Sequence, residues 1–327
     1  MSPMVRSTVL LRISLLFGFL SVPAMSQTLA DLQSACSVAG GEQQHCAMSA
    51  VAARELIGHM SVLAAPGFEI PSESSTLGRR LGGMPRTSAF VRAGVFTGEI
   101  PDLGCDPLLE PWSERPARCS NIRSSFSVPS IQFGLGLGLL DGVQLMPTVG
   151  GFLSLDIVGH TNLLFFPKLD GFSGRVGAWG IGARIGILRE SFTLPGVSVS
   201  VMRRGVGDLC SCGGHTNVTL GPSITSHRIT VGKDFFALGF AAGVAWNDMS
   251  SDVTLEMYSG PVLHDGLLES TRATYFIGVS KQLGVLSWMS AEFGFTPNFD
   301  PIEGLAEYVF QPEDLTVLGS LGVLLKL

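Results

Sequence analysis

Charge is what this sequence has least of. Only 15% of its 327 residues are Asp, Glu, Lys or Arg, against about 25% in an ordinary soluble domain. Bases are in the minority, 21 against 27 acids, for a formal net charge of −6. No nucleic-acid partner is expected of such a chain. Also missing is any internal run of about 20 apolar residues, which membrane-spanning helices require. Disorder is excluded for most of the chain, because 46% hydrophobic content accompanies the low charge. Glycine is plentiful, with 41 residues, but has no three-residue period, so a collagen-like fold is excluded. An apolar, glycine-rich chain without long apolar runs fits a closed membrane β-barrel, whose lipid-facing residues alternate with lumen-facing ones.

Residues 1–26 have the form of a secretory signal. Arg6 and Arg12 supply the positive start, Ile13–Leu20 the short apolar centre, and Ala24-Met25-Ser26 small residues at −3 and −1. Cleavage is expected before Gln27. Loss of Arg6 and Arg12 leaves 19 bases against 27 acids, because the segment holds no acid. Gln33-Ser34-Ala35 before Cys36 is a poor lipobox, so a lipoprotein is not expected.

Six cysteines follow the signal, and an even number in an exported chain points to disulfides. Sequence proximity suggests Cys36 with Cys46 and Cys105 with Cys119. Cys210 and Cys212 are one residue apart, so a bond between them would be strained. Cys210, Cys212 and His215 do not have a common zinc spacing, and no metal is expected.

Four regions are expected: the signal at 1–26, a helical segment at 27–65, a linker at 66–86 and a barrel at 87–327. The helical segment has no strand pattern. It reads as two helices broken at Gly40-Gly41, with Cys36 and Cys46 stapling them into a hairpin.

From residue 87 the period becomes two. In Ile131–Leu139, Ile131, Phe133, Leu135, Leu137 and Leu139 share one face, while Gln132, Gly134, Gly136 and Gly138 share the other. Phe236–Trp246 repeats this design. The pattern predicts strands near 87–98, 129–140, 148–160, 174–189, 195–204, 220–232, 235–247, 271–282, 285–297 and 315–327. Long connections at 99–128, 161–173, 205–219, 248–270 and 298–314 alternate with short ones at 141–147, 190–194, 233–234 and 283–284. Long loops at one end and tight turns at the other are the layout of a transmembrane barrel. The fold class expected is all-β, a closed antiparallel barrel of about ten strands. Val253–Tyr258 and Leu305–Phe310 would make twelve if they formed strands of their own.

The last strand carries a resemblance. Leu315, Val317, Leu321, Val323, Leu325 and Leu327 alternate with Thr316, Ser320, Gly322 and Lys326. This resembles the C-terminal assembly signal of bacterial outer-membrane β-barrel proteins, although that signal most often ends in an aromatic residue. The resemblance implies an outer-membrane location, contact with outer-membrane lipid and delivery to the barrel-assembly machinery through the final strand. Helices with a cysteine pair ahead of a barrel also look a little like the hatch of the long-chain fatty-acid transporter family, without a shared motif.

Turning the apolar face to lipid puts Arg92, Gln132, Asp156, Arg184, Arg228, Arg272 and Glu292 on the lumen side, though Phe90 and Phe96 share the parity of Arg92. Two roles follow. An open lumen would pass or bind a small solute, with the arginines favouring anions. A closed lumen of paired charges would make the barrel a structural or surface-interaction protein with disulfide-bonded outer loops. No enzyme and no cofactor are expected. Gly221-Pro222-Ser223 is no nucleophile elbow, and Gly134–Gly138 is a strand pattern without the helix that a dinucleotide fingerprint needs. His160, His215 and His264 fall in or beside the expected outer loops.

A bond between Cys105 and Cys119 closes a loop of about 15 residues and should add roughly 3 kcal/mol in the chain-entropy description. Non-reducing peptide mapping should find the two joined; two free thiols would refute the pairing.

Overall fold

The structure is a computed structural model that describes residues 29–38, 43–63, 69–71, 73–79, 84–101, 123–144, 151–166, 174–211, 216–257, 262–297 and 315–327. Two helices come first, α1 (Leu29–Val38) and α2 (Gln43–Leu63). Eleven strands follow: β1 (Thr87–Pro101), β2 (Arg123–Leu140), β3 (Ser154–Phe165), β4 (Arg175–Leu188), β5 (Gly196–Val206), β6 (Leu209–Ser211), β7 (Thr216–Phe235), β8 (Leu238–Met257), β9 (Val262–Gln282), β10 (Ser287–Thr296) and β11 (Thr316–Lys326).

All strands but β6 form one antiparallel meander closed on itself. β1 pairs with both β2 and β11, and β5 skips the short β6 to pair with β7. The barrel therefore has ten strands. Its seam is closed at the tight-turn end, where the Thr87 and Leu327 backbones exchange hydrogen bonds of 3.1 and 2.8 Å. Twelve strands are not needed, because residues 253–257 continue β8 and Leu305–Phe310 lies outside the described residues.

The outer face shows where the membrane lies. On β5, β7, β8 and β9, the register aligns Val201, His227, Trp246 and Ala273 in one row, and Arg203, Thr225, Asp248 and Thr271 in a neighbouring one. Toward the tight turns, the outward residues are Val199, Ile229, Val231, Phe240, Tyr275, Ile277 and their like, all exposed or half-exposed. Beyond the Arg203–Thr271 row they become Ser223, Ser250, Asp252 and Glu269. A contiguous apolar belt of this kind is foreign to a soluble monomer. From Asp248 back to Leu238 the strand runs about 33 Å, roughly 25 Å across a bilayer at a tilt near 40°. That matches the apolar band of a transmembrane barrel.

Three expectations change. The stretches 205–219 and 248–270 are not simply loops: β7, β8 and β9 continue well past the polar row. Their outward residues are polar because they face water, while Val218, Leu220, Val253, Leu255 and Leu268 point inward and are buried. The strand expected at 148–160 runs Ser154–Phe165 instead. His160 and Asn162 look like loop residues in sequence but face the interior, where Val158 and Leu164 share their side. Finally, the β7–β8 turn is Phe236-Ala237 rather than 233–234, with Phe236 in the left-handed region at φ 56°.

The helices lie inside the wall. Ala47, Ala50, Val51, Ala52, Ala53, Leu56, Ile57 and Met60 are buried, and so are the polar Ser49, Glu55 and His59, so α2 is enclosed on nearly every side. Eight strands enclose little more than their own side chains, so ten accept a helix only if it is slender. The alanines make it so. α1 joins α2 through the Cys36–Cys46 disulfide. Both pack with Phe96, Phe126, Val218, Leu220, Val253 and Leu255 in one apolar core in the half remote from the tight turns.

Each neighbour of the last strand depends on it for backbone partners, since β11 pairs with β1 on one side and β10 on the other. Deleting Leu321–Leu327 should leave both edges open in hydrocarbon, at several kcal/mol per unsatisfied group. The truncated chain should lose the heat-modifiable band on unboiled gels; a normal folded band at normal membrane level would contradict this closure.

Candidate functional site: the filled lumen

Between α2 and β1, the described residues 69–71 and 73–78 lie inside the barrel. The stretch from Glu69 to Arg79 touches the wall at successive levels. Glu69 accepts a 2.6 Å hydrogen bond from the Ser200 hydroxyl and lies 3.7 Å from Arg228 Nε. Glu73 forms an ion pair with Lys326, and its carbonyl accepts from Arg184 Nη1 at 3.2 Å. Ser75 Oγ accepts from the Glu190 backbone N–H at 3.0 Å, and the Thr76 and Ser154 hydroxyls meet at 2.5 Å. Near the tight-turn end the Arg79 N–H donates to Asp141. The backbone amide holds the Asp141 carboxyl below its usual range, with Arg189 adding to the effect. Gly138 on the wall is obligatory here, because an added Cβ would overlap the Gly78 carbonyl.

The contact with the most hydrogen bonds involves Asp156. Its carboxylate takes Arg184 Nη2 at 2.8 Å and Nε at 3.2 Å, and also accepts the Leu77 backbone N–H at 2.9 and 3.1 Å. Asp156 and Arg184 are register partners on β3 and β4. Carboxylate and guanidinium thus grip the internal segment from the same spot, one at Leu77 and one at Glu73.

All seven residues expected on the lumen face are buried: Arg92, Gln132, Asp156, Arg184, Arg228, Arg272 and Glu292. They pair partly among themselves and partly with the internal segment. Arg92 Nη1 lies 2.9 Å from Glu292 Oε2, across the β1–β11–β10 seam. Phe90 and Phe96 share the face of Arg92 because the interior is filled; the Phe90 ring occupies space left by Gly134. Arg272 Nη2 reaches Glu55 Oε2 on α2 at 3.4 Å. Sequence reasoning missed Glu55 and Glu69, which lie outside the strand pattern that guided it. It also missed Arg204, although the parity of Ser198 and Ser200 leads to that position.

A polar belt separates the ionic level from the helices. Ser226 bonds Asn247, whose Nδ2 donates to Thr274 at 3.2 Å, and the Thr274 and Thr296 hydroxyls meet at 2.8 Å. Above it, His59 Nε2 donates to the Glu99 carbonyl at 2.8 Å. Nδ1 is then left to accept from Thr316, at 3.4 Å. Burial holds the His59 pKa down to about 3, so the ring is neutral.

Cys105, Cys119, Cys212, His215 and the whole 298–314 connection lie outside the described residues. Cys210 is disulfide-bonded, which removes its thiolate from any ligand set. Among the described residues no three His, Cys, Asp or Glu side chains converge on a point.

The architecture defines the class: a closed antiparallel transmembrane β-barrel of the outer-membrane type. No protein family matches the chain, and no curated protein is similar to it. Solved structures are similar to it at low identity. The translocator domain of the autotransporter NalP from Neisseria meningitidis is 10% identical, with a TM-score of 0.43 over 77% of this chain and 91% of that one. The Pseudomonas putida toluene transporter TodX is 10% identical, with a TM-score of 0.34 over 81% and 99%. The outer membrane protease OmpT from Escherichia coli is 8% identical, with a TM-score of 0.34 over 74% and 96%. At these values none carries an argument about activity; the class rests on the closed wall and its apolar belt. The expectation that the chain is not an enzyme is nevertheless corrected. An outer membrane protease stands among the similar barrels, so a barrel of this build does not by itself exclude catalysis.

Proposed function

We propose that the protein is a sealed barrel of the bacterial outer membrane whose working surface is the structure it presents outside, rather than an open pore. The observation that carries this reading is the Asp156 carboxylate, which holds Arg184 of the wall and the Leu77 backbone of the internal segment together. Three further ion pairs support it: Arg92–Glu292 within the wall, and Arg228–Glu69 and Arg272–Glu55 from wall to interior. Paired charges inside a filled barrel favour closure over the passage of a small solute. The outer surface on this reading consists of the protruding parts of β7, β8 and β9, backed by the disulfide-stapled helices. Residues 1–26 would direct export, and the oxidising periplasm would form the Cys36–Cys46 bond. The strand Thr316–Lys326 would engage the assembly machinery.

Planar-bilayer recording tests the proposal directly. The full barrel should give no steady conductance, and a variant lacking residues 27–78 should open a lumen lined by Arg92, Arg184, Arg228 and Arg272 and select anions. Steady conductance by the full barrel, shifted toward cations by Arg184→Glu, Arg228→Glu or Arg272→Glu, would replace the sealed reading with solute passage.

A further inference from the structure

The charges inside the barrel do not balance. Among the described residues, five arginines are fully buried there, Arg92, Arg184, Arg204, Arg228 and Arg272, against four carboxylates, Glu55, Glu69, Asp156 and Glu292. Each carboxylate lies within 4 Å of an arginine, and these are Arg272, Arg228, Arg184 and Arg92. Arg204 is the remainder. It is among the largest fully buried side chains of the protein, at 1% exposure. Among the described residues its Nη2 meets only the Met202 sulfur, at 3.5 Å, while Nε and Nη1 have no hydrogen-bond partner.

The surroundings make this a site. Arg204 lies on β5 opposite Gly180 of β4 and Ile224 of β7. Gly180 lets the His160 ring close in beside Arg204, since an added Cβ would come within 2.5 Å of that ring and 3.1 Å of the Arg204 stem. Arg228, Arg92 and Glu69 are the charges within electrostatic reach. The Glu69 carboxylate is already engaged by Ser200 and Arg228. A guanidinium this deeply buried, facing two others, is strongly unfavourable without a counter-charge.

We propose that the lumen binds one small monovalent inorganic anion, a halide such as chloride, against the guanidinium of Arg204. The charge to be balanced is a single positive one, so a divalent anion would overcompensate it. A sphere accepts N–H groups from any direction and suits two nitrogens that no carboxylate fork engages. The ion completes the layer electrically and belongs to either a sealed or an open lumen, so the site stands apart from the reading of function above.

Bromide is the probe. Crystals of the folded barrel grown in sodium bromide should show an anomalous peak within about 3.5 Å of the Arg204 guanidinium. The unfolding midpoint should rise with bromide relative to gluconate at constant ionic strength, by roughly 2–4 °C per tenfold increase above the dissociation constant. Arg204→Lys should retain that response, and Arg204→Met should lose it. A water in place of the anomalous peak, or equal responses in the wild type and Arg204→Met, would overturn the proposal. The wild-type diffraction experiment decides the matter even if Arg204→Met does not fold.

Discussion

Hydrocarbon offers no hydrogen-bond partner, and the rest of the structure follows from that constraint. Every backbone N–H and C=O at membrane depth must be paired within the protein, so the sheet has no free edge to leave in lipid. Closure is met where the chain order is most distant, at the pairing of β1 with β11, while β7 follows β5 across the short β6. Once closed, the wall commits alternate residues to lipid and to the interior, and the two faces come to obey opposite rules. Outward positions are mostly apolar up to the row of Arg203, Thr225, Asp248 and Thr271, with His227 an exception beside that row, and mostly polar beyond it. Inward positions are mixed along their whole length, because what they meet is protein.

The interior is organised by depth. Remote from the tight turns, the alanine-rich α2 and its stapled partner α1 meet apolar residues of the wall. Next comes a belt of hydroxyls and one amide, running from Ser226 through Asn247 and Thr274 to Thr296. Below it lies the ionic level, where Asp156, Arg184, Glu69 and Arg228 bind the descending segment. A helix has no unpaired backbone in its middle and needs only an apolar cavity. An extended segment carries unpaired N–H and C=O groups and needs polar partners. The change from apolar to polar lining along the lumen follows the change from helix to extended chain within it.

Buried ion pairs seldom add much stability over apolar packing, but losing one partner of such a pair is costly. Here that asymmetry acts as a lock. Removing α2 and the internal segment would take Glu55 from Arg272 and Glu69 from Arg228, and would strip Arg184 and Asp156 of their backbone partners. The filled lumen is thus self-consistent as a unit, and the surplus of one guanidinium at Arg204 is conspicuous within it.

The strand alternation from Ile131 to Leu139 and from Leu238 to Trp246 was legible in the sequence because a lipid-facing wall enforces period two. The Cys36–Cys46 staple was legible because its ends are close along the chain. The same parity marks the lumen side of Arg184 and Arg228, for lipid rejects charge wherever it sits. What those arginines meet was not legible. Glu55 and Glu69 lie outside the barrel pattern, and only the tertiary path of the chain through the lumen brings them to Arg272 and Arg228. Nor could sequence separate a polar loop from a strand above the membrane, since water accepts Ser250 and Asp252 in either. The alternation of one strand thus depends on its solvent, which the sequence records residue by residue. Pairing across the lumen depends on the enclosed shape, which exists only after the wall has closed.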